Sequence, residues 1–165
     1  MGLIVQKYGG TSVANLERIQ NVADRVVRTY RQGHDVVVIV SAMAGVTDGL
    51  INLAKQVHEA PDKRELDALL ATGEQTTAAL LAMMLRAMGY PALSLMGFQV
   101  EVRTDFCYGN ARIQDIRVDR VRGLLDERDI KELRAHGESE AAKARALLDK
   151  AGALYDFEIV FGHPA

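Results

Sequence analysis

Phosphate handling is suggested by a run near the N-terminus that reads Lys7, Tyr8, Gly9, Gly10, Thr11 and Ser12. Two adjacent glycines let backbone N–H groups approach a phosphate, and the N-terminus of a following helix favours anions. Lys7 adds a compact positive charge that suits a phosphoryl group in transfer. The alternative is a Gly-Gly turn between a strand and a helix, with Lys7 in solvent. The run matches neither the Walker pattern nor the dinucleotide-binding fingerprint.

A second candidate segment reads SAMAGVTD and runs from Ser41 to Asp48. Its small residues leave room for a ligand, which the hydroxyl groups of Ser41 and Thr47 could bind through hydrogen bonds. The structural alternative is that Thr47 caps the next helix and Ser41 satisfies a nearby backbone group. Proximity to the first segment would favour the functional interpretation.

The third candidate is Glu74, within the run Thr72-Gly73-Glu74-Gln75. A threonine followed three residues later by glutamine predicts a capping box that starts a helix, with Glu74 in its first turn. Alternatively, Glu74 points into a ligand site and pairs with a substrate ammonium group. The spacing leaves both possibilities open.

The elements that would position these residues alternate between strand and helix. Leu3 to Val5 predicts a short strand, and apolar residues at helical spacing from Leu16 to Tyr30 predict a helix that Thr11, Ser12 or Asn15 could cap. Val36 to Val40 has no polar alternation, which is typical of a buried parallel strand. Ligands of such sheets bind beyond the carboxyl ends of the strands, so we expect the first two candidate segments to lie together at that edge.

The remaining elements follow from apolar spacing and from turn residues. We predict helices at Thr47–His58 and Lys63–Met88 (the latter interrupted near Thr72-Gly73), a strand at Ala92–Leu95, a hairpin at Val100–Thr104 and Ala111–Ile113, a short helix containing Val118 to Leu125, a charged helix at Glu132–Lys150 and a last strand at Tyr155–Phe161. The predicted fold class is α/β, with three layers (α/β/α) around a mostly parallel sheet.

Composition limits the possible functions. The 165 residues fit one domain, and 20 basic against 22 acidic side chains give a net charge of -2, which predicts neither nucleic-acid nor anionic-membrane binding. No long apolar run predicts a membrane span or a signal peptide. The single Cys107 suits a reducing compartment, so we expect a cytoplasmic protein. The four histidines lack metal-ligand spacing, and no metal site is predicted.

Together, the three candidate segments resemble the aspartokinases. The matching runs, in order, are Lys7 to Val13, Val40 to Met43, Thr72 to Gln75, Gly97 to Val100 and Thr104-Asp105, and the resemblance covers residues 1 to about 130. The Thr-Ser-Val continuation and the Thr-Gly-Glu-Gln run favour this family over acetylglutamate and uridylate kinases, which also begin with a lysine and two glycines.

The resemblance implies transfer of the γ-phosphoryl group of ATP, bound with magnesium, to the side-chain carboxylate of L-aspartate, which begins the route to lysine, threonine and methionine. The implied site residues are catalytic Lys7, phosphate-binding Gly9, Gly10, Thr11 and Ser12, and substrate-binding Ser41, Thr47 and Glu74.

After Ile130 the sequence departs from the family pattern, which would continue into a glycine-rich substrate segment and the nucleotide-binding half. We therefore predict a truncated amino-acid-kinase-like part at residues 1–130, completed by a helix-strand tail at residues 131–165 that packs on the same sheet. Residues 141–165 weakly resemble the helix-strand portion of universal stress proteins.

Two hypotheses on function follow. The favoured one is a folded, non-catalytic domain of aspartate kinase origin that binds ligands weakly at most, and ATP little or not at all. Such a chain would be chimeric or engineered. The other is a phosphotransferase that becomes active only when a partner chain supplies the nucleotide half. An open sheet edge also predicts a possible homodimer.

Overall fold

The computed structural model describes residues 2–125. The predicted helix at 132–150, the predicted strand at 155–161 and the predicted second part at 131–165 lie outside the described residues. In chain order the elements are β1 (Leu3–Tyr8), a single 3-10 turn (Gly10–Val13), α1 (Leu16–Arg31), β2 (Asp35–Val40), α2 (Val46–Val57), α3 (Lys63–Ala87), β3 (Val102–Thr104), β4 (Ile113–Ile116) and α4 (Val118–Leu125).

Strands β1 and β2 form a parallel pair that ends with Tyr8 opposite Val40. Both carboxyl ends therefore lie at one edge of the sheet, as the sequence predicted. Strands β3 and β4 pair antiparallel, which confirms the predicted hairpin, but its second strand is Ile113–Ile116 and shares only Ile113 with the predicted one. Among residues 2–125 these are two separate two-stranded sheets.

Helices cover both faces of β2, so the described part has an α/β/α arrangement. On one face, the apolar side of α1 and the second half of α3 bury Val36, which is fully inaccessible to solvent. On the other face, Leu124 and Leu125 of α4 pack against Val37. The predicted α/β class with layered helices is confirmed.

Helix α1 begins and ends where its sequence indicates. Asn15 is its N-cap, and the Asn15 side-chain oxygen accepts a hydrogen bond of 2.9 Å from the backbone N–H of Arg18. The helix ends at Arg31 and is followed by Gly33, which has a φ of 84° that favours glycine. Of the three predicted capping residues, Asn15 is therefore the one that caps α1.

Helix α3 differs from the prediction because it is continuous across Thr72 and Gly73. Its N-cap is Asp62, whose side chain accepts hydrogen bonds from the N–H groups of Arg64 and Glu65. The predicted capping box at Thr72 is wrong. Instead of capping a helix, the Thr72 hydroxyl donates a hydrogen bond of 2.7 Å to the Leu69 carbonyl in the preceding turn of α3.

The 25 residues of α3 also include an 18-residue window with a mean hydropathy of 1.2, enough by length and composition to cross a membrane. The core helix of a globular protein meets the same criterion. In α3, 28% of that window is buried, and Leu81 and Leu85 are fully buried in the core that α3 shares with α1.

The predicted strand at Ala92–Leu95 is not a strand of either sheet. Only Ser94 forms an isolated bridge. The segment is nevertheless buried at Ala92 and Ser94, since it closes the core beyond the end of α3. The apolar residues of this segment therefore indicated that it is buried, not that it pairs as a strand.

Candidate functional site

The first candidate loop leaves β1 at Tyr8 and turns through Gly9 into the 3-10 turn. The N–H group of Ser12 donates to the carbonyl of Gly9 at 2.9 Å, and Val13 is fully buried beneath the turn. Lys7 is exposed, and its ammonium nitrogen lies 3.9 Å from the position that a Cβ atom on Gly9 would occupy. The loop thus carries a positive charge beside its first glycine.

The helix that follows the two glycines is this short 3-10 turn and not α1. Helix α1 starts at Leu16 after its own cap at Asn15, so the 3-10 turn, and not the N-terminus of α1, adjoins the two glycines. Thr11 is exposed and Ser12 is half-buried, both within the turn. An anion bound beside Gly9 would lie near the Lys7 ammonium.

The second candidate segment leaves β2 beside the first. The N–H of Ser41 donates to the Tyr8 carbonyl at 3.1 Å, which continues the sheet pairing by one residue beyond the strand. Gly45 has a φ of 80° and is the N-cap of α2, so Thr47 lies in the first turn of that helix and does not cap it. Ser41 and Thr47 are both half-buried. The structural interpretation of Thr47 as a cap is wrong.

The two loops are in close contact at Gly10 and Ala42. A Cβ atom on Gly10 would lie only 2.8 Å from the carbonyl oxygen of Ala42, closer than real Cβ contacts allow. Only a glycine at position 10 lets the backbone of the first loop lie this near the second. Lys7 to Ser12 and Ser41 to Thr47 are therefore brought together, as the sequence predicted.

Glu74 reaches the same place from α3. Its Oε1 atom accepts a hydrogen bond of 3.0 Å from the backbone N–H of Ala42. The carboxylate is thus near the second loop, but it lies in the middle of α3 rather than at a helix start. One oxygen is engaged by the protein, and the other can accept further hydrogen bonds from a ligand.

The side chain of Tyr8 anchors the end of β1. Its hydroxyl donates to Gln6 Oε1 at 2.8 Å, and Gln6 Nε2 donates to the Thr29 hydroxyl of α1 at 2.8 Å. Burial raises the pKa of the Tyr8 hydroxyl, while the nearby Arg25 and Arg28 guanidinium groups oppose that rise. The strand end that carries Lys7 is therefore fixed to α1.

Two open clefts lie apart from the assembled loops. One, of about 440 Å³, lies between β1 and α1 beside Tyr8, Arg25 and Arg28. The other, of about 550 Å³, lies between Asp67 of α3 and the hairpin loop around Asp105. Within residues 2–125, no group of three His, Cys, Asp or Glu side chains could hold a metal ion.

Sequence reasoning missed Ala42 and Gly73, two small residues at the centre of the site. Ala42 contacts Gly10 through its carbonyl and Glu74 through its N–H group. Gly73 is buried and faces the Ala42 side chain. A glycine inside an apolar helical run was the available signal, since glycine is disfavoured there without a packing reason.

Comparison with known proteins gives a consistent answer. The model of the amino acid kinase family matches residues 2–133. An aspartokinase of Geobacillus stearothermophilus is 57% identical over 127 residues, which is 77% of this chain and 31% of the relative. Aspartokinase 2 of Bacillus subtilis is 56% identical over 116 residues, or 70% of this chain and 28% of the relative. The chain thus spans about a third of the length of these relatives.

Solved structures agree with this match. The aspartate kinase of Synechocystis has a TM-score of 0.57 and 54% identity, over 59% of this chain and 17% of that one. Aspartokinase III of E. coli, solved with aspartate and ADP, has a TM-score of 0.59 over 82% of this chain and 39% of that one. At 20% identity the second likeness concerns the fold alone. This chain belongs to the amino acid kinase family, and its N-terminal segment is of the aspartokinase type.

Proposed function

We propose that residues 2–125 form the aspartate-binding and phosphate-loop side of an aspartate kinase site. The observation that carries the proposal is the meeting of three segments, since Ala42 contacts Gly10 of the first loop and Glu74 of α3 at the same time. The relatives named aspartokinase at 51–57% identity supply the chemistry that this arrangement would perform. The reaction is transfer of the γ-phosphoryl group of ATP to the side-chain carboxylate of L-aspartate.

Each side chain has a distinct role in this proposal. The Lys7 ammonium neutralises charge on the transferring phosphoryl group, while the N–H groups of Gly9, Gly10 and Thr11 and the Ser12 hydroxyl hold phosphate oxygens. Ser41 and Thr47 donate hydrogen bonds to aspartate, and the free oxygen of Glu74 pairs with its ammonium group. A magnesium ion would accompany ATP through the nucleotide's phosphates, as is usual for this cation.

The 165 residues by themselves are proposed to form no aspartyl phosphate. Phosphoryl transfer depends on positioning and charge neutralisation by a full set of groups, and the matched segment is 31% of the Geobacillus relative. Incubation with ATP, magnesium and L-aspartate, followed by trapping of the acyl phosphate with hydroxylamine, tests this. Product that disappears in Lys7→Ala would contradict the absence of turnover.

Binding is tested by calorimetric titration, first with L-aspartate and then with ATP. We expect heat from aspartate that is lost in Glu74→Ala. ATP, if it binds, should lose its heat in Lys7→Ala and keep it in Lys55→Ala, a matched control in α2. Absence of any heat from aspartate with the folded wild-type chain would refute the proposed substrate site.

Glu74→Gln separates two roles of the carboxylate. Glutamine keeps an oxygen that can accept from the Ala42 N–H group but lacks the charge that pairs with an ammonium group. We expect this variant to retain the fold of the second loop and to bind aspartate at least about tenfold more weakly, because a hydrogen bond to a charged group is lost. Unchanged affinity in Glu74→Gln would rule out the ammonium pairing.

A further inference from the structure

Gly73 occupies an unfavourable place for a glycine. It lies inside the 25-residue helix α3, where alanine is intrinsically preferred, and it is buried. A residue that weakens its own helix needs a compensating reason. The neighbours of Gly73 supply one.

A side chain at position 73 would collide with the second candidate segment. Its Cβ atom would lie 2.9 Å from Ala42 Cβ and 3.3 Å from Val46 Cγ1. Real Cβ atoms essentially never approach another atom as closely as 2.9 Å, and neither partner is the far end of a flexible chain. Gly49, the glycine inside α2, has no atom within 4 Å of the same position.

The contact at Gly73 is directly connected to the Glu74 hydrogen bond. Glu74 is the next residue, and its carboxylate accepts from the N–H of the same Ala42. Ala42 also packs closely against the first loop, since its carbonyl oxygen lies 2.8 Å from the position that a Cβ atom on Gly10 would occupy. The separation of α3 from the loop therefore determines whether Glu74 can reach Ala42.

We propose that Gly73 is a positioning residue that brings α3 against Ala42 and so holds the Ser41 to Thr47 segment in the geometry that receives aspartate. This inference rests on the proposed function for its ligand, but the geometry itself can be tested without one. We expect Gly73→Ala to move Ala42 away from α3, break the Glu74 hydrogen bond and displace Ser41.

Hydrogen exchange of the Ala42 amide, followed by NMR on the full chain, tests the positioning role. We expect exchange about tenfold faster or more in Gly73→Ala, because a charge-assisted hydrogen bond is lost. Gly49→Ala is the control, since it makes the same chemical change in a helix without a clash, and the Ala42 amide should exchange as in the wild type. Wild-type exchange at Ala42 in a folded Gly73→Ala variant would overturn the proposal.

A second variant keeps the test decisive if Gly73→Ala folds poorly. Ala42→Gly removes the atom that the new side chain meets at 2.9 Å. The double variant Gly73→Ala with Ala42→Gly should therefore recover the slow exchange at position 42 that Ala42→Gly shows alone. Failure of this rescue in a folded double variant would also overturn the proposal.

Aspartate affinity gives the functional result. We expect the dissociation constant to rise about tenfold in Gly73→Ala, to stay unchanged in Gly49→Ala and to recover in the double variant, in parallel with the amide exchange. If the wild type binds no aspartate, the proposed function fails while the exchange data still decide the role of Gly73. Faster exchange at Ala42 with unchanged aspartate affinity would contradict the link between this packing and the site.

Discussion

The carboxylate of Glu74 accepts a hydrogen bond of 3.0 Å from the backbone N–H of Ala42, 32 residues earlier in the chain. This bond connects the middle of α3 to the loop that leaves β2. The same alanine touches Gly10 of the first loop. Three segments that are distant in sequence thus meet around one small residue, and the proposed site depends on that contact.

Replacement of Gly10 tests the close approach of the two loops. In Gly10→Ala the new Cβ atom would meet the Ala42 carbonyl oxygen at 2.8 Å. The oxygen is a backbone atom and the Cβ atom is attached directly to the backbone, so neither can rotate away. We expect the free energy of unfolding to fall by about 1–3 kcal/mol, as for other overpacked sites. Urea denaturation followed by circular dichroism measures this change.

Gly9→Ala is the matched control for the same loop. Gly9 has extended backbone angles that alanine also adopts, and a Cβ atom there would meet only Lys7 Nζ, at 3.9 Å. We expect a change within about 0.5 kcal/mol. Equal stability losses in the two variants would show that the loops are not in the described contact.

Leu81 tests whether α3 is a core helix. Leu81 is fully buried, whereas Met83 on the same helix is 59% exposed. Leu81→Ala should lower the free energy of unfolding by about 2–5 kcal/mol through lost burial and a cavity. Met83→Ala should stay within about 0.5 kcal/mol in the same urea titration. Comparable losses would contradict the packing of α3 on α1.

The N-cap of α1 predicts a smaller effect. Asn15→Ala removes the oxygen that accepts from the Arg18 N–H group and should cost about 1 kcal/mol. Asn21→Ala, at an exposed position inside α1, should be neutral or slightly stabilising because alanine is the better helix former. Thermal unfolding of both variants provides the measurement. A destabilised Asn21→Ala together with an unchanged Asn15→Ala would contradict the assignment of Asn15 as the N-cap of α1.

The raised pKa of Tyr8 predicts a loss of stability in alkaline solution. Burial keeps its hydroxyl protonated in the folded chain at pH values where the unfolded chain, with a tyrosine pKa of about 10, has released the proton. The folded state then binds more protons, so stability falls as pH rises from about 10 through the folded pKa, and it is unaffected below. In Tyr8→Phe this contribution to the slope should disappear, as urea titrations across that range would reveal. An identical slope in both proteins would contradict it.

Local patterns in the sequence predicted most of the fold. The helical spacing from Leu16 to Tyr30 and the unbroken apolar run at Val36 to Val40 each have one favourable structure, and parallel pairing then brought the two loops to one edge. The meeting of those two loops could be predicted because the carboxyl ends of neighbouring parallel strands lie at one edge of the sheet, the general place for ligands.

The errors come from positions where tertiary contacts override local preference. The Thr72 to Gln75 run satisfies a capping pattern, but burial of Gly73 against Ala42 favours a continuous helix. Helix α3 is already capped at Asp62, and it continues through Thr72 without a second N-terminus. Gly73 and Ala42 carry no polar side chain that would suggest chemistry. The helix-interior glycine was the one signal for Gly73, and the contact between the two residues is seen only in the structure.

The most direct test of the proposed aspartate-binding site is an NMR titration of the isotope-labelled chain with L-aspartate. Backbone amide resonances of Gly10, of Ser41 to Thr47 and of Glu74 should shift together along one saturating curve, while those of the hairpin loop at residues 105–112 stay unchanged. These shifts should be absent in Glu74→Ala. Saturating shifts confined to the cleft between Asp67 and the hairpin, or no shifts at all, would contradict the account.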